Sequence, residues 1–429
     1  MKSQHYVTGL GKAAVYARIA VHVACRYVLR PGLFRWSPLA YLRFLCRAWP
    51  LLLVFRHNKV VRVRTGWKLH LYLPAYPTPA FFYALETKLL WHPPGPTTVV
   101  FSMTKACTYR CVHCYQRKDA GADLDEPLLL ATARAVQDAG VALFDIEGGE
   151  PFCRSARLLK LVQALDSRSE VWVNTTGAGL TPEMLAQLKD AGLFGLMVSI
   201  HSPDPAVHDA LTLVPGSFAV ACDAIRLCRQ QQLAAAVNSV LSEAELRDGG
   251  LARLMDLARE LDCDYVQLIH PKPAGLWLGR REGMQTDTEL IRRVQAEHVC
   301  YNSRRRHDYP SLAAQVFEES AGVLGCTAGG VDRFYVNAAG EVQPCEFLNL
   351  SFGNVTTEPF AAIFARMRSY FPTPGTDWLC CTAAGRIDEV YRQTGVDRTP
   401  LPCEQTQELV SRLERGQPTP LYAKLGIYR

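Results

Sequence analysis

Lys105-Ala106-Cys107-Thr108-Tyr109-Arg110-Cys111-Val112-His113-Cys114-Tyr115 places three cysteines in a C-x3-C-x2-C spacing, just behind the strand-like run Thr98-Val99-Val100-Phe101-Ser102-Met103. Three such thiolates can anchor three corners of a four-iron cube, leaving the fourth iron for a ligand that is not protein. A structural zinc ion would want a fourth Cys or His at ligand spacing. His113, lying between two of the cysteines, is poorly placed for that. Cytosolic chains seldom gather thiols this closely merely to pack. The triplet therefore predicts an iron-sulfur cluster with one open coordination position, at the C-terminal end of a strand.

About 25 residues beyond the cysteine loop comes Phe144-Asp145-Ile146-Glu147-Gly148-Gly149-Glu150-Pro151. A cysteine triplet followed at this distance by Gly-Gly-Glu-Pro resembles the radical S-adenosylmethionine (radical SAM) superfamily. The resemblance implies a [4Fe-4S] cluster on Cys107, Cys111 and Cys114, with SAM chelating the open iron. It also implies that Gly148, Gly149 and Glu150 take the amino group of SAM. The residue types suit the task, because glycine lets a backbone approach a ligand closely and a carboxylate holds an ammonium by a charge-assisted hydrogen bond. With less specificity the resemblance extends to Thr175 and Thr176 after the third barrel strand, Ser199 at the end of the fourth and Asn238 on the fifth, positions that touch the methionine carboxylate or ribose in relatives. The implied chemistry is one-electron cleavage of SAM to a 5′-deoxyadenosyl radical, which removes hydrogen from an unactivated carbon. A one-electron donor such as flavodoxin or ferredoxin is the implied partner.

Around the triplet, strand and helix patterns alternate from Thr97 to about Gly275. Strands are expected at Thr98–Met103, Val141–Ile146, Glu170–Asn174, Leu193–Ile200, Ala235–Leu241 and Tyr265–Ile269. Helices are expected between them at Glu126–Ala139, Pro182–Ala191, Phe218–Gln231 and Ala244–Leu261. Alternating βα units give a parallel sheet, and these six units fit the partial (βα)6 barrel that the resemblance implies. Sites in such barrels lie at the C-terminal strand ends. Gln267, His270 and Lys272, around the sixth strand, are placed to meet a substrate there.

Cys326 is followed by thirteen residues and then Gly340-Glu341-Val342-Gln343-Pro344-Cys345, which resembles the opening of the SPASM and Twitch domains that append auxiliary iron-sulfur clusters to radical SAM barrels. The C-x2-C-x5-C-x3-C run of a full SPASM domain is absent, so one auxiliary [4Fe-4S] cluster is expected. Its expected ligands are Cys326, Cys345, one of Cys380 and Cys381, and Cys403; a trans peptide should turn the adjacent pair apart. Glu346, beside Cys345, stands where some relatives carry an acid near the substrate; a proton acceptor and a surface salt bridge are the two expectations for it. Cys25, Cys46, Cys153, Cys222, Cys228, Cys263 and Cys300 read as packing residues.

Charge separates the chain into unequal parts. Residues 1–85 hold 13 Lys and Arg and no Asp or Glu, so the net charge of +6 conceals a basic head on a mildly acidic body. The head is also apolar, but no run reaches the roughly 18–20 uncharged residues that spanning a bilayer needs. Pro31, Pro38 and Pro50 are expected to cut it into short helices that pack on the barrel or lie on an anionic membrane surface. A hairpin around Gly66 follows. No signal peptide is evident, which with the unpaired cysteine count predicts a cytoplasmic enzyme, possible peripheral membrane contact through residues 1–58, and no nucleic-acid partner.

The expected architecture is α/β: a basic extension over 1–96, the barrel over 97–280, a helical linker over 281–314, an auxiliary-cluster domain over 315–410 and a tail over 411–429. The expected substrate is a lipid or other small hydrophobic metabolite. The alternatives are a ribosomally made peptide and, in another class, a non-catalytic electron-transfer protein.

Overall fold

The computed structural model describes residues 6–28, 38–280 and 287–428. Pro31 and the start of the expected linker lie outside the described residues. The strands are β1 (Tyr6–Val7), β2 (Val60–Val63), β3 (Gly66–Lys68), β4 (Thr98–Ser102), β5 (Leu143–Glu147), β6 (Glu170–Thr175), β7 (Leu193–Ser199), β8 (Ala234–Ser239), β9 (Tyr265–Leu268), β10 (Ser311–Ala314), β11 (Arg333–Val336) and β12 (Val342–Gln343). The first three form a small antiparallel sheet, and the other nine form one sheet in the order β10-β9-β8-β7-β6-β5-β4-β11-β12. From β4 to β9 each strand runs parallel to the next, as the βα alternation requires.

Two features extend the sheet beyond the six expected strands. β10, inside the segment expected as linker, pairs parallel with β9. At the other edge β11 pairs parallel with β4 and turns back into β12 through Gly340, whose φ is +89°. The hairpin of the C-terminal part is thereby welded onto the barrel sheet. One helix expected over Ala244–Leu261 is two, Glu243–Arg247 and Gly250–Glu260, broken where Gly249 takes a φ of +77°. Such a φ interrupts helical hydrogen bonding, and glycine adopts it without a Cβ penalty. Pro50 does not end its helix. It lies in the last turn of Pro38–Leu53, where its missing N–H costs a single hydrogen bond.

The head closes the barrel at the N-terminal strand ends. Val61, Leu71 and Ala75 pack with Leu143, Trp172, Phe194, Ala234 and Tyr265, most of them at or near the beginnings of their strands. Lys68, fully buried, pairs with Glu170 at the start of β6, and Glu170 also accepts from Trp172 Nε1 at 2.8 Å and from the Ala75 backbone N–H at 2.8 Å. Removing one partner of such a buried pair costs about 3–5 kcal/mol. Helices Gly9–Val28, Pro38–Leu53 and Pro79–Leu89 form a second core with the C-terminal helix Pro420–Leu425. Among the described residues none of the head lines the cavity at the opposite end of the barrel, where the cysteine loop emerges.

Candidate active site

β4 delivers the chain into the cysteine loop, and long-range backbone bonds hold that loop in shape. The Lys105 N–H donates to Asp123 at 2.8 Å, Val112 N–H to the Leu211 carbonyl at 3.0 Å, and Leu276 N–H to the Cys114 carbonyl at 3.2 Å. Lys105 Nζ donates to the carbonyls of Asp119 and Gly121, each at 2.6 Å. Cys107, Cys111 and Cys114 carry no disulfide and are half-buried. Burial, with their mutual proximity, pushes the thiols up, Cys107 to about 11 and Cys111 to about 12; Cys114 rises as well, chiefly through burial. Thiols so placed ionise only when a cation compensates them, and iron is such a cation. Among the described residues no three His, Cys, Asp or Glu side chains converge on one metal-ion position.

The Gly148-Gly149-Glu150 turn is packed tightly against the cysteine loop. A Cβ on Gly148 would lie 2.5 Å from the Thr104 carbonyl oxygen, and one on Gly149 would lie 2.4 Å from that of Ala106. The backbone N–H groups of Gly149 and Glu150 donate to those same two carbonyls, each at 2.7 Å. The glycines are thus required first by the cysteine loop packed against them, although both also line the cavity described below. The Glu150 side chain is fixed by neighbouring donors. It is fully buried and accepts from Thr175 Oγ1 at 2.7 Å, Thr176 N–H at 2.8 Å, Thr176 Oγ1 at 2.6 Å and Phe152 N–H at 3.1 Å. Its role in the structure is to tie the end of β6 to the end of β5.

One cavity opens over the strand ends. Its inner wall holds Cys111, Cys114, Gly148, Gly149, Asn174, Thr175, Thr176, Ser199 and Asn238, and its outer wall Val240, Ile269, Pro271, Lys272, Ala274, Trp277 and Phe347. Asn174 Oδ1, Asn238 Oδ1 and His201 Nδ1 are buried there without a hydrogen-bond partner among the described residues. Leaving such atoms bare costs about 1–3 kcal/mol each, which suits a ligand that supplies the missing partners. His113, in the cysteine loop, meets the His201 ring edge-on at 4.3 Å, and burial lowers its pKa to about 4, so it is a neutral ring facing the cavity. Burial lifts Glu147, also in the wall, to about 8. It therefore stands protonated at neutral pH, held by Tyr115, Gln116 and Asn174. Gln267 does not line this cavity; its amide donates to Tyr72 on the side of the head.

In the C-terminal part the structure gathers Cys326, Cys345, Cys380 and Cys381, which act electrostatically on one another. Cys380 and Cys381 occupy the single helical turn Leu379–Thr382, Cys380 half-buried and Cys381 exposed, and their mutual interaction lowers Cys381 and raises Cys380. Cys403 is elsewhere. Its Sγ donates to the Phe352 carbonyl at 3.2 Å and accepts from Gln407 Nε2 at 3.1 Å, at the start of helix Cys403–Ser411. Glu346 takes the ion-pair position, the alternative to proton transfer. It is buried, accepts from the Cys345 thiol at 3.2 Å, lies 3.8 Å from Arg333, and leaves the cavity wall to its neighbour Phe347. Of the cysteines expected merely to pack, Cys153 is an electrostatic neighbour of Cys107. The position of Trp277 against His113, at 5.7 Å, had no signal in the local pattern.

Comparison with known proteins agrees with this arrangement. The Radical SAM superfamily model matches residues 101–242, and the model of the SPASM iron-sulfur cluster-binding domain matches residues 326–372. An "AdoMet-dependent heme synthase" of Methanosarcina barkeri is 24% identical over 333 residues, 70% of this chain and 94% of that protein. A "PqqA peptide cyclase" of Streptomyces rochei is 25% identical over 299 residues, 66% of this chain and 80% of that protein. Among solved structures, Streptococcus suis SuiB bound to precursor peptide SuiA aligns with a TM-score of 0.51 at 18% identity, over 63% of this chain and 64% of that one.

Proposed function

We propose, for a chain that is a radical SAM enzyme with a SPASM-type cluster domain, that it removes a hydrogen atom from a small hydrophobic metabolite seated in the cavity between the cysteine loop and residues 269–277. One observation carries the reading: Cys111, Cys114, the Gly148-Gly149 backbone and the unpartnered atoms of Asn174, His201 and Asn238 share one cavity whose far wall is Val240, Ile269, Pro271, Trp277 and Phe347. A SAM molecule on a reduced cluster supplies a 5′-deoxyadenosyl radical. In this reading Cys107, Cys111 and Cys114 hold the cluster, and the carbonyls beside Gly148 and Gly149 take the amino group of SAM. Asn174, Thr176, Ser199 and Asn238 meet its carboxylate and ribose. The apolar far wall orients the substrate and excludes water, which protects a radical from quenching. Glu147, kept protonated, leaves the cavity without a carboxylate charge.

Cys326, Cys345 and one or both of Cys380 and Cys381 hold the auxiliary cluster in this reading, without Cys403. A small one-electron carrier of the flavodoxin or ferredoxin class reaches the cysteine loop past exposed Arg110 and Arg117. A peptide substrate is the second reading, supported by the names of the Streptomyces relative and of the SuiB complex. The test is deoxyadenosine release by the reconstituted enzyme when extracts of the source cells are added. Stimulation by a protease-treated, solvent-extracted fraction supports the metabolite; stimulation abolished by protease replaces it with the peptide.

The head suits a second contact. Helices Gly9–Val28 and Pro38–Leu53 turn Leu10, Val21, Leu39, Leu42 and Trp49 outward, in a region without a single acidic residue before Glu86. Leu39, Leu42 and Trp49, spaced three and seven residues apart, lie on one face of their helix, beside exposed Arg43. An apolar stripe edged by arginine fits an anionic bilayer surface. Because the head caps the end of the barrel opposite the cavity, this contact tethers the enzyme and does not feed lipid to the site.

A further inference from the structure

Lys272 leaves the loop after β9 and enters the space between the cavity and the auxiliary cysteines. It is 5% exposed, and its Nζ is buried with no hydrogen-bond partner and no ion pair among the described residues. The Trp378 ring centroid is 3.4 Å from Nζ, and His270 is an electrostatic neighbour. An ammonium withdrawn from water without an anion is strongly unfavourable, and an aromatic face offsets only part of that. The charge of Lys272 is felt by Cys380 and by Cys381, which follow Trp378 within three residues. As thiols these carry no charge to answer it. As thiolates on iron they do.

We infer that Lys272 is the electrostatic partner of the auxiliary cluster, a positioning residue contributed by the barrel that raises the reduction potential of a centre held by the C-terminal domain. The inference rests on the assignment of Cys326, Cys345 and the Cys380-Cys381 pair to that cluster. A fixed cation beside an iron-sulfur centre favours its reduced, more negative state, since net charge and surroundings set the potential. The lysine stem also lines the active cavity, so the wall that faces the substrate is the wall that tunes the second centre. An electron leaving the cavity side therefore meets a cluster adjusted to accept it. Recognition of a substrate anion is a weaker account of the same residue, because Nζ is sealed beneath Trp378 and not open to the cavity.

The experiment uses the anaerobically reconstituted full chain, with Lys272→Gln and Lys272→Arg beside wild type, read by iron content and by a redox titration followed by electron paramagnetic resonance. Wild type should hold about eight irons, two cubes. Lys272→Gln should move the midpoint of the second cluster to more negative potential, leave that of the cysteine-loop cluster in place, and be rescued by Lys272→Arg. A second cluster that titrates identically in Lys272→Gln and wild type overturns the inference, as does an equal shift of both clusters. If Lys272→Gln fails to load the second cluster, Lys272→Met decides: loss in Met with retention in Arg supports the charge, and loss in both overturns it. A wild-type chain with about four irons removes the auxiliary assignment itself and the inference with it, an outcome distinct from an unshifted potential.

Discussion

Gly149→Ala should damage the cluster site through packing alone, without touching a ligand. The added Cβ would stand 2.4 Å from the Ala106 carbonyl oxygen and 2.6 Å from that of Lys105, both backbone atoms with no flexible end to swing away. Relief requires the start of the cysteine loop and the end of β5 to separate by about 1 Å, the shortfall from an ordinary contact of about 3.5 Å. Overpacking of this kind costs about 1–3 kcal/mol. The same separation stretches the Gly149-to-Thr104 and Glu150-to-Ala106 bonds, each 2.7 Å, at about 0.5–1.5 kcal/mol apiece. The expected loss is therefore about 2–6 kcal/mol, a large share of the ~5–15 kcal/mol by which domains are stable. Urea unfolding of the metal-free chain measures it, and iron analysis after reconstitution should show depletion of the cysteine-loop cluster. Gly385→Ala is the control. Nothing lies within 4 Å of its added Cβ, and it sits inside helix Ala384–Thr394, where alanine gains up to about 1 kcal/mol over glycine. A Gly149→Ala chain as stable and as iron-loaded as wild type would refute the reasoning.

Other outcomes follow from the same geometry. Glu147 has its pKa raised to about 8 by burial, so its contribution to stability is complete below the unfolded carboxylate range and is lost as pH rises through about 8. Glu147→Gln should accordingly flatten the fall in stability between about pH 4.5 and 8, seen as a smaller loss of urea midpoint across that window than in wild type. Cys403→Ser should keep the auxiliary iron, within error of about four irons above a chain lacking that cluster, because Cys403 faces Phe352 and Gln407. Vesicles with anionic lipid should sediment the protein and neutral vesicles should not; replacing Leu39, Leu42 and Trp49 with Ser should lower the bound fraction at least tenfold, while undiminished binding would assign the stripe to another partner.

The parts legible in the sequence are those whose chemistry forces close spacing. The cysteine triplet, the Gly-Gly-Glu-Pro turn and the Cys326-Gly340-Cys345 hairpin each place their groups within a few residues or across one turn, so composition and spacing reveal them. The apolar runs of β4 to β9 were equally legible, being buried on both faces. What escaped depends on pairing between distant segments. Nothing local in Ser311–Ala314 marks it as a neighbour of β9, and nothing in Arg333–Val336 marks it as a partner of β4. The basic head read as a possible membrane layer, yet its Lys68 is spent on Glu170, 102 residues away, in the floor of the barrel. The bonds that Thr175 and Thr176 make to Glu150 are of the same kind, joining residues 25 and 26 positions apart that nothing local links. The contacts of Cys403 with Phe352 and Gln407 are likewise set by the fold and carry no signal in the spacing.

The central claim is most directly tested by deoxyadenosine formation from SAM and reductant in the anaerobically reconstituted chain, compared with Cys107→Ala, Cys111→Ala and Cys114→Ala combined. The account predicts release by wild type, none by the triple variant, and about four irons remaining in the variant as one auxiliary cube. Continued release by the triple variant, or a wild-type chain that binds neither iron nor SAM, would contradict it.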